Sequence, residues 1–474
     1  LLKGLEAVEI STIEIKDDNP TFRFDAEYYN KEALALIKYI KAGKHGILGQ
    51  HFAVSKLAGF EFTEYFTEQA LSAQDSYIAL TSKNIQNEQL DLTEFITIDK
   101  SVADANLQRS KINLNDVVMS YTGEYRRSLV MQDKTPYQLG PNICRIRPTK
   151  SISPFYLSTF LNSSIGQTIL DREKTLSAQP TVAMSRIRAI PIPLLSKEYE
   201  EALHTILSGV YQKRLVADSL QKECDELLLE DMNYTEIEDN SNRGVTINSS
   251  DVNLCNRWDA EYYKPLYQYI KELIEHFTKG YKVLGDICEI IDKNFKPQDE
   301  QIYKYIELAN ININGEINGY TECEGELLPS RARRIVRTGD VIVSSIEGSL
   351  ASCAIVPPEL DGALCSTGFY VLRSDVFSPE VLFCIVKSRP IQLLLKKGCS
   401  GTILTAISKN ELEKIPLPVV DDQIRKTIVE KMSKCIDIRK TCRQCISLAQ
   451  VSVKIAIYDG EAEAIKFINQ NNIL

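Results

Sequence analysis

No apolar run in the 474-residue chain approaches the roughly 18 residues that span a bilayer, which predicts a soluble, cytoplasmic protein with no membrane partner. Histidine is scarce: His45, His51, His204 and His276 stand at no metal-ligand or triad spacing. No Gly-x-x-x-x-Gly-Lys-(Ser/Thr) phosphate loop occurs, so ATP-driven work would have to come from another subunit. Positive charge is not in surplus either. The 55 Lys and Arg against 64 Asp and Glu give a net charge of −9, which excludes a global nucleic-acid signature but not a local one. The acids crowd one mid-chain stretch, from Glu223 to Asp239. A disulfide framework is excluded on other grounds. The twelve cysteines fall mostly inside apolar runs such as Ile287-Cys288 and Phe383-Cys384-Ile385, as reduced buried thiols do. The chain starts at Leu1 and its first residues do not resemble a signal peptide.

What the chain does have is a repeat. Arg-Phe-Asp-Ala-Glu-Tyr-Tyr at Arg23–Tyr29 returns as Arg-Trp-Asp-Ala-Glu-Tyr-Tyr at Arg257–Tyr263, an offset of 234 residues (257 − 23). A period near half the chain means two domain-sized copies, not a solenoid. Two readings of the motif stay open: a docking surface for another subunit, or aromatics that staple the following helix to its domain.

In the first copy, Leu34, Ile37 and Ile40 recur at helical spacing and predict a lead helix of about four turns. The period then shortens. Tyr77–Leu80, Glu94–Ile98, Asp116–Tyr121, Leu129–Met131 and Ile143–Ile146 read as strands, and Pro154 to Leu170 returns to helix. Ile190-Pro191-Ile192-Pro193 is rigid and extended. A long helix follows, with a heptad seam at Leu203, Ile206, Val210, Lys213, Ala217, Leu220, Cys224 and Leu227. The second copy repeats this order: Tyr305–Leu308, Gly339–Ser344, Ile415-Pro416-Leu417-Pro418, then a seam at Ile428, Lys431, Cys435, Ile438, Cys442, Cys445 and Ala449. Each seam needs an apolar partner, and the other is the natural one. Helices of 25–30 residues are about 40–45 Å long, so packed antiparallel they would act as a ruler.

In this order and twice over, the elements resemble the specificity subunit of type I restriction–modification systems. The resemblance covers nearly the whole chain and rests on the duplication, on Gly339-Asp340-Val341-Ile342-Val343-Ser344, on Gly398-Cys399-Ser400-Gly401-Thr402 and on Ile-Pro-Leu-Pro before a long helix. It implies a mixed α/β (α+β) fold. Two tandem target recognition domains would each precede a long helix, and the helices would pack as an antiparallel coiled coil with pseudo-twofold symmetry. It also implies no catalysis and no cofactor, two methyltransferase (modification) subunits as partners, and a translocating restriction subunit as an optional third. Half-sites about 12–13 base pairs apart would follow from the helix length. The first copy departs from the pattern, with Asn115-Asp116 for Gly-Asp and no Gly-x-x-Gly near Thr175–Pro180. Expected limits are 1–197 and 256–420 for the recognition domains, 198–232 and 421–458 for the spacer helices, 233–255 for a linker and 459–474 for a tail.

Contacts to double-stranded DNA need cations for phosphates and planar donors for base edges. In the first copy Arg109 and Lys111 precede the Asp116 strand and Tyr125-Arg126-Arg127 follow it; in the second, Arg331, Arg333, Arg334 and Arg337 precede the equivalent strand. Asn84, Asn310 and Gln179 are candidates to read adenine, and Thr402 enters with its glycine-flanked loop. The loops Tyr121–Arg127 and Ser345–Ala351 differ most between copies, which predicts an asymmetric bipartite site. Two tempting signals carry no chemistry. Cys442-Arg443-Gln444-Cys445 has no second ligand pair and falls on the seam. Asn19-Pro20-Thr21-Phe22 lacks the second proline of an adenine-methyltransferase loop and reads as a turn. The alternative function is a protein-interaction scaffold of a related phage-defence system that keeps the fold and no longer reads sequence.

Overall fold

Strand Val117–Ser120 is buried along its whole length, and the reason is that it serves two cores. Val117 and Met119 face the helix Pro154–Asn162, among Phe155, Tyr156 and Phe160. Val118 points the other way, into a cluster with Leu80, Ile98 and Leu139. A side-chain period of two delivers alternate residues to opposite faces, so a strand covered on both sides reads as a continuous apolar run. The same holds for Val341–Ser344, where Val341 and Val343 join one core and Ile342 the other.

The computed structural model describes residues 23, 25–86, 88–92, 94–123, 127–150, 152–175, 177–237, 257–401 and 405–471. Two units are present: Leu1–Leu215 with Ile438–Leu474, and Val216–Asp437. Both long helices, Lys197–Asp231 and Asp422–Tyr458, contribute to each unit. The turn expected at 17–20 lies outside the described residues. Among the described residues no helix is long and apolar enough to cross a membrane.

In the first unit a short turn of helix at Ala26–Tyr29 leads into the helix Lys31–Ala42. Two four-stranded sheets follow. One has the order Phe52–Lys56, Ile143–Pro148, Val117–Ser120, Ser128–Val130, with every neighbour antiparallel. The other runs Ile96–Asp99, Ser76–Leu80, Tyr137–Leu139, Lys111–Ile112, and its pairing of Ser76–Leu80 with Tyr137–Leu139 is parallel. The second unit repeats both sheets strand for strand. The Pro-flanked segments pair too: Pro191–Pro193 with His45–Ile47, and Pro416–Pro418 with Tyr281–Val283. The departure from Gly-Asp in the first copy has a simple account. Asn115 (φ 65°) and Gly339 (φ 84°) occupy the same left-handed turn, and asparagine is a side chain that tolerates it.

Within each unit a stretch of the first long helix packs antiparallel on the second. In one unit Tyr199 Oη meets Ser452 Oγ at 2.8 Å, and Cys442 Sγ lies 3.7 Å from the Val210 carbonyl. In the other, Cys435 Sγ lies 3.3 Å from the Ala217 carbonyl and Lys431 is paired with Glu223. Small residues let the backbones approach this closely. The seam is offset from the expected one in places. Leu228, not Leu227, is buried, and the buried row of the second helix passes through Met432 and Arg439 while Lys431 and Ile438 flank it. A helix of 3.6 residues per turn drifts from a strict heptad, so several seam positions are shared by neighbours. Helix Glu461–Asn471 adds Ala464 and Ile468 to the first core.

Of the described cysteines only Cys323 is not buried. Burial pushes the Cys144 and Cys365 thiols up to about 12 and Cys288 to about 11. A maleimide reagent should therefore label Cys323 ahead of every other described cysteine in the native protein. Equally fast labelling of Cys442 or Cys445, followed by mass spectrometry, would show that the helix seam opens.

Candidate nucleic-acid interface

Strand Val117–Ser120 runs into the loop of residues 121–127, and that loop is zipped to a second one. Thr122 bridges Thr181, Val182 N–H donates to the Tyr121 carbonyl at 2.9 Å, and Gly123 N–H donates to Pro180 at 3.0 Å. The second unit has the same junction. Ile346 bridges Ala406, Ile407 N–H donates to Ser345 at 2.8 Å, and Glu347 N–H donates to Thr405 at 3.0 Å. In each unit the loop that differs between the copies is thus held beside a second loop of its own unit, on a matching scaffold. A pair of polar loops on a rigid sheet can carry different side chains without altering the core beneath them.

The repeated motif stands at the base of this junction. Arg23 Nε donates to Asp25 at 2.7 Å, while its NH2 donates at 2.8 Å to the carbonyl of Lys174, just past helix Ser164–Glu173. Arg257 Nε donates to Asp259 at 2.6 Å and its NH2 to the Cys399 carbonyl at 2.8 Å, just past helix Arg389–Gly398. Both guanidinium groups lie 4.6 Å from a tyrosine ring, Tyr28 or Tyr262. The second tyrosine, Tyr29 or Tyr263, returns its hydroxyl to the arginine's own carbonyl at 2.9 Å. Cations belong at helix C-termini, where carbonyls lack partners. The motif is a staple that caps the helix from which the second loop departs.

The anticipated contact residues distribute unevenly over this framework. Gln179 is exposed in the second loop, with Nε2 3.9 Å from where a Cβ on Gly123 would stand. Arg127 is half-buried at the end of the first loop, and its NH1 donates to Gln86 Oε1 at 2.8 Å. Arg331 is exposed beside the turn that holds the base of the second unit's loop. Its carbonyl accepts from Thr367 at 2.9 Å, and the adjacent Gly368 carbonyl accepts from Ser345 at 2.8 Å. Tyr125, Arg126 and Thr402 lie outside the described residues.

The remaining candidates are placed differently. Asn84 is 1% exposed and its amide is fully engaged: Oδ1 accepts from Thr81 N and Oγ1, and Nδ2 donates to Asp91 and Glu94 carbonyls. Asn310 closes the corresponding turn, accepting from Glu307 N–H at 2.8 Å. Arg334 donates to the Phe369 carbonyl and sits 5.3 Å from the Tyr370 ring. Arg333 Nε donates to Ser330 at 3.0 Å. Arg337 precedes the strand Val341–Ser344, so it stands about 13 Å away from the loop at the far end. Lys111, with Arg109 two residues before it, is also distant from the loop. Its carbonyl accepts from Arg147 at 3.2 Å, and Arg147 grips Asp116 at the start of the strand. Sequence reasoning had no signal for the hairpin Ile85–Leu90, whose Gln86 holds Arg127.

Residues 278–446 match the family model of the type I restriction modification DNA specificity domain. The chain is 27% identical over 154 residues to the type I restriction enzyme EcoBI specificity subunit of Escherichia coli. That stretch is 32% of this chain and 32% of the relative, so most of the relative lies outside the match. The S subunit of a type I restriction–modification system from M. genitalium aligns over 90% of this chain and 95% of its own, at 11% identity and a TM-score of 0.33. The HsdS subunit from Thermoanaerobacter tengcongensis aligns over 88% and 97%, at 15% identity and a TM-score of 0.26. The second half of the chain thus carries a region similar to the type I restriction modification DNA specificity domain.

Proposed function

We propose that this chain is the non-catalytic, DNA-reading subunit of a cytoplasmic type I or type I-like restriction–modification complex. Residues 1–197 and 256–420 act as target recognition domains, each reading one half of an asymmetric bipartite duplex site. The helical segments 198–232 and 421–458 set the gap between half-sites. Adenine-methyltransferase subunits, two by the duplicated plan, dock on it and supply the methyl-transfer chemistry; a translocating restriction subunit is the optional further partner. The observation that carries this reading is the duplicated loop junction, with one scaffold presenting two different sets of loop residues.

Two measurements test it. Binding to duplex DNA should weaken steeply with salt, about a thousandfold between 50 and 200 mM for some six phosphate contacts. Co-expression with the methyltransferase encoded beside it should place methyl groups on adenines in one bipartite, asymmetric motif, and Arg331→Ala should relax the bases of one half only. Salt-independent or undetectable DNA binding, with methylation unchanged when this chain is deleted, would instead favour an interaction scaffold.

A further inference from the structure

Each half carries a small hairpin directly after the turn closed by Asn84 or Asn310, and each hairpin is driven into the same part of its domain. In the first, Glu88 at the tip takes a left-handed backbone (φ 53°). The residue is half-buried, but its carboxylate turns onto helix Pro154–Asn162. Ser158 Oγ, on a fully buried residue, lies 3.0 and 3.1 Å from the two oxygens, and Asn162 Nδ2 donates at 2.7 Å. Asn162 also brackets Ser128, accepting its N–H at 3.1 Å and donating to its carbonyl at 2.9 Å. Arg214 of the first long helix donates to the Glu88 carbonyl. Gln86, two residues before, holds Arg127.

The second hairpin makes the same insertion with different chemistry. Ile311 bridges Ile317, and Gly315 (φ 79°) presses its backbone against helix Pro379–Lys387; a Cβ there would stand 2.4 Å from the Phe383 ring. Asn314 Nδ2 lies 3.5 Å from Asp218 of the first long helix. Where the first hairpin sets a carboxylate against its helix, the second thus sets the Gly315 backbone against the Phe383 ring. Packing alone does not require a carboxylate at this depth, because the second half fills the same place without one.

We propose that Glu88 is a positioning residue for the first half's recognition loop: its plugged hairpin, tied to the long helix by Arg214, sets where Arg127 stands. The inference rests on the recognition reading for its functional consequence, though not for its structural one. It also makes the docking of the first hairpin pH-sensitive. Burial pushes the Glu88 carboxyl up to about 7, against the hydrogen bonds of Asn162 and Ser158 and the charge of Arg214, which lower it. A carboxyl raised in the docked state favours docking when protonated. Docking therefore weakens as pH rises from the ordinary carboxylate range to about 7, by at most about tenfold per pH unit, and levels off above.

The test uses the full chain as wild type, Glu88→Gln, Glu88→Ala and Gly315→Ala. Hydrogen exchange over residues 119–130 should be at least tenfold faster in Glu88→Ala than in wild type at pH 6. Glu88→Gln, which keeps the shape and a hydrogen-bonding amide, should stay near wild type and lose the pH dependence between 5.5 and 8. In binding to duplexes with single-base changes, Glu88→Ala should lose about tenfold or more discrimination in one half-site, and Gly315→Ala in the other. Unchanged exchange over 119–130 in Glu88→Ala overturns the inference, as does loss of discrimination spread equally over both half-sites. A wild-type protein that binds duplexes without sequence preference removes the recognition reading, while the exchange measurement still decides the role of Glu88.

Discussion

Asp340→Ala should destabilise the second unit by about 3 kcal/mol, the range for removing one partner of a buried, hydrogen-bonded ion pair whose other partner keeps some solvent contact. Asp340 is 1% exposed, and its carboxylate accepts from Arg373 Nε and NH2, both at 2.9 Å, and from the Arg337 N–H at 2.8 Å. Alanine would leave that N–H without its acceptor and the guanidinium, among the described residues, with Glu289 at 3.6 Å. The first unit repeats the device. Asp116 takes Arg147 through two bonds of 2.7 Å and the Asn113 N–H at 2.7 Å, so Asp116→Ala should act there with similar size. Denaturant titration with hydrogen exchange separates the units. Asp340→Ala should lower protection in strands Val341–Ser344 and Phe369–Ser374 and leave Val117–Ser120 unchanged. A shift under 0.5 kcal/mol would mean that water screens the pair after all.

Arg257→Ala is expected to be the next most damaging change, at about 2 kcal/mol, with an effect on recognition larger than on stability. One side chain joins the Asp259 carboxylate, the C-terminal end of helix Arg389–Gly398 and the face of Tyr262, each contributing about 0.5–1 kcal/mol. Residues 400–405 follow directly from the carbonyl that Arg257 holds, so losing the staple frees the root of the loop. Half-site discrimination by the second domain should fall at least tenfold, with the first domain's half-site unaffected. Arg257→Lys should not rescue, since an ammonium cannot span Asp259 and Cys399 as the planar fork does. The Arg257 guanidinium also holds the Asp259 carboxyl below the usual range. A depressed carboxylate adds stability above its unfolded pKa, so this contribution persists at neutral pH and is lost only as pH falls through the acid range. Unaltered discrimination by a folded Arg257→Ala protein would separate the motif from the loop.

The duplication and the element types were legible without coordinates, because each is written in local order. Val117–Ser120 reads as a strand from its apolar run, Lys31–Ala42 as a helix from its spacing, and the two Arg-(Phe/Trp)-Asp-Ala-Glu-Tyr-Tyr copies announce two equivalent halves. The long seams were legible in kind but not in register. Residues one step apart on a helix share an apolar face, and only packing selects Leu228 over Leu227 or Met432 over Lys431.

What the tertiary structure alone decided are the relations between residues far apart in the chain. Arg23 reaches the Lys174 carbonyl, Arg127 reaches Gln86, and Ser158 and Asn162 enclose Glu88. No spacing rule connects these positions. Charge counting places Lys111, Arg127, Arg331 and Arg337 in one class, whereas the strands carry Arg127 and Arg331 to the loop junction and leave Lys111 and Arg337 about 13 Å away, at the other end. Composition and period determine which elements form, because they act over a few residues. Which side chains meet depends on the sheet order that brings those elements together, and that is a property of the folded chain.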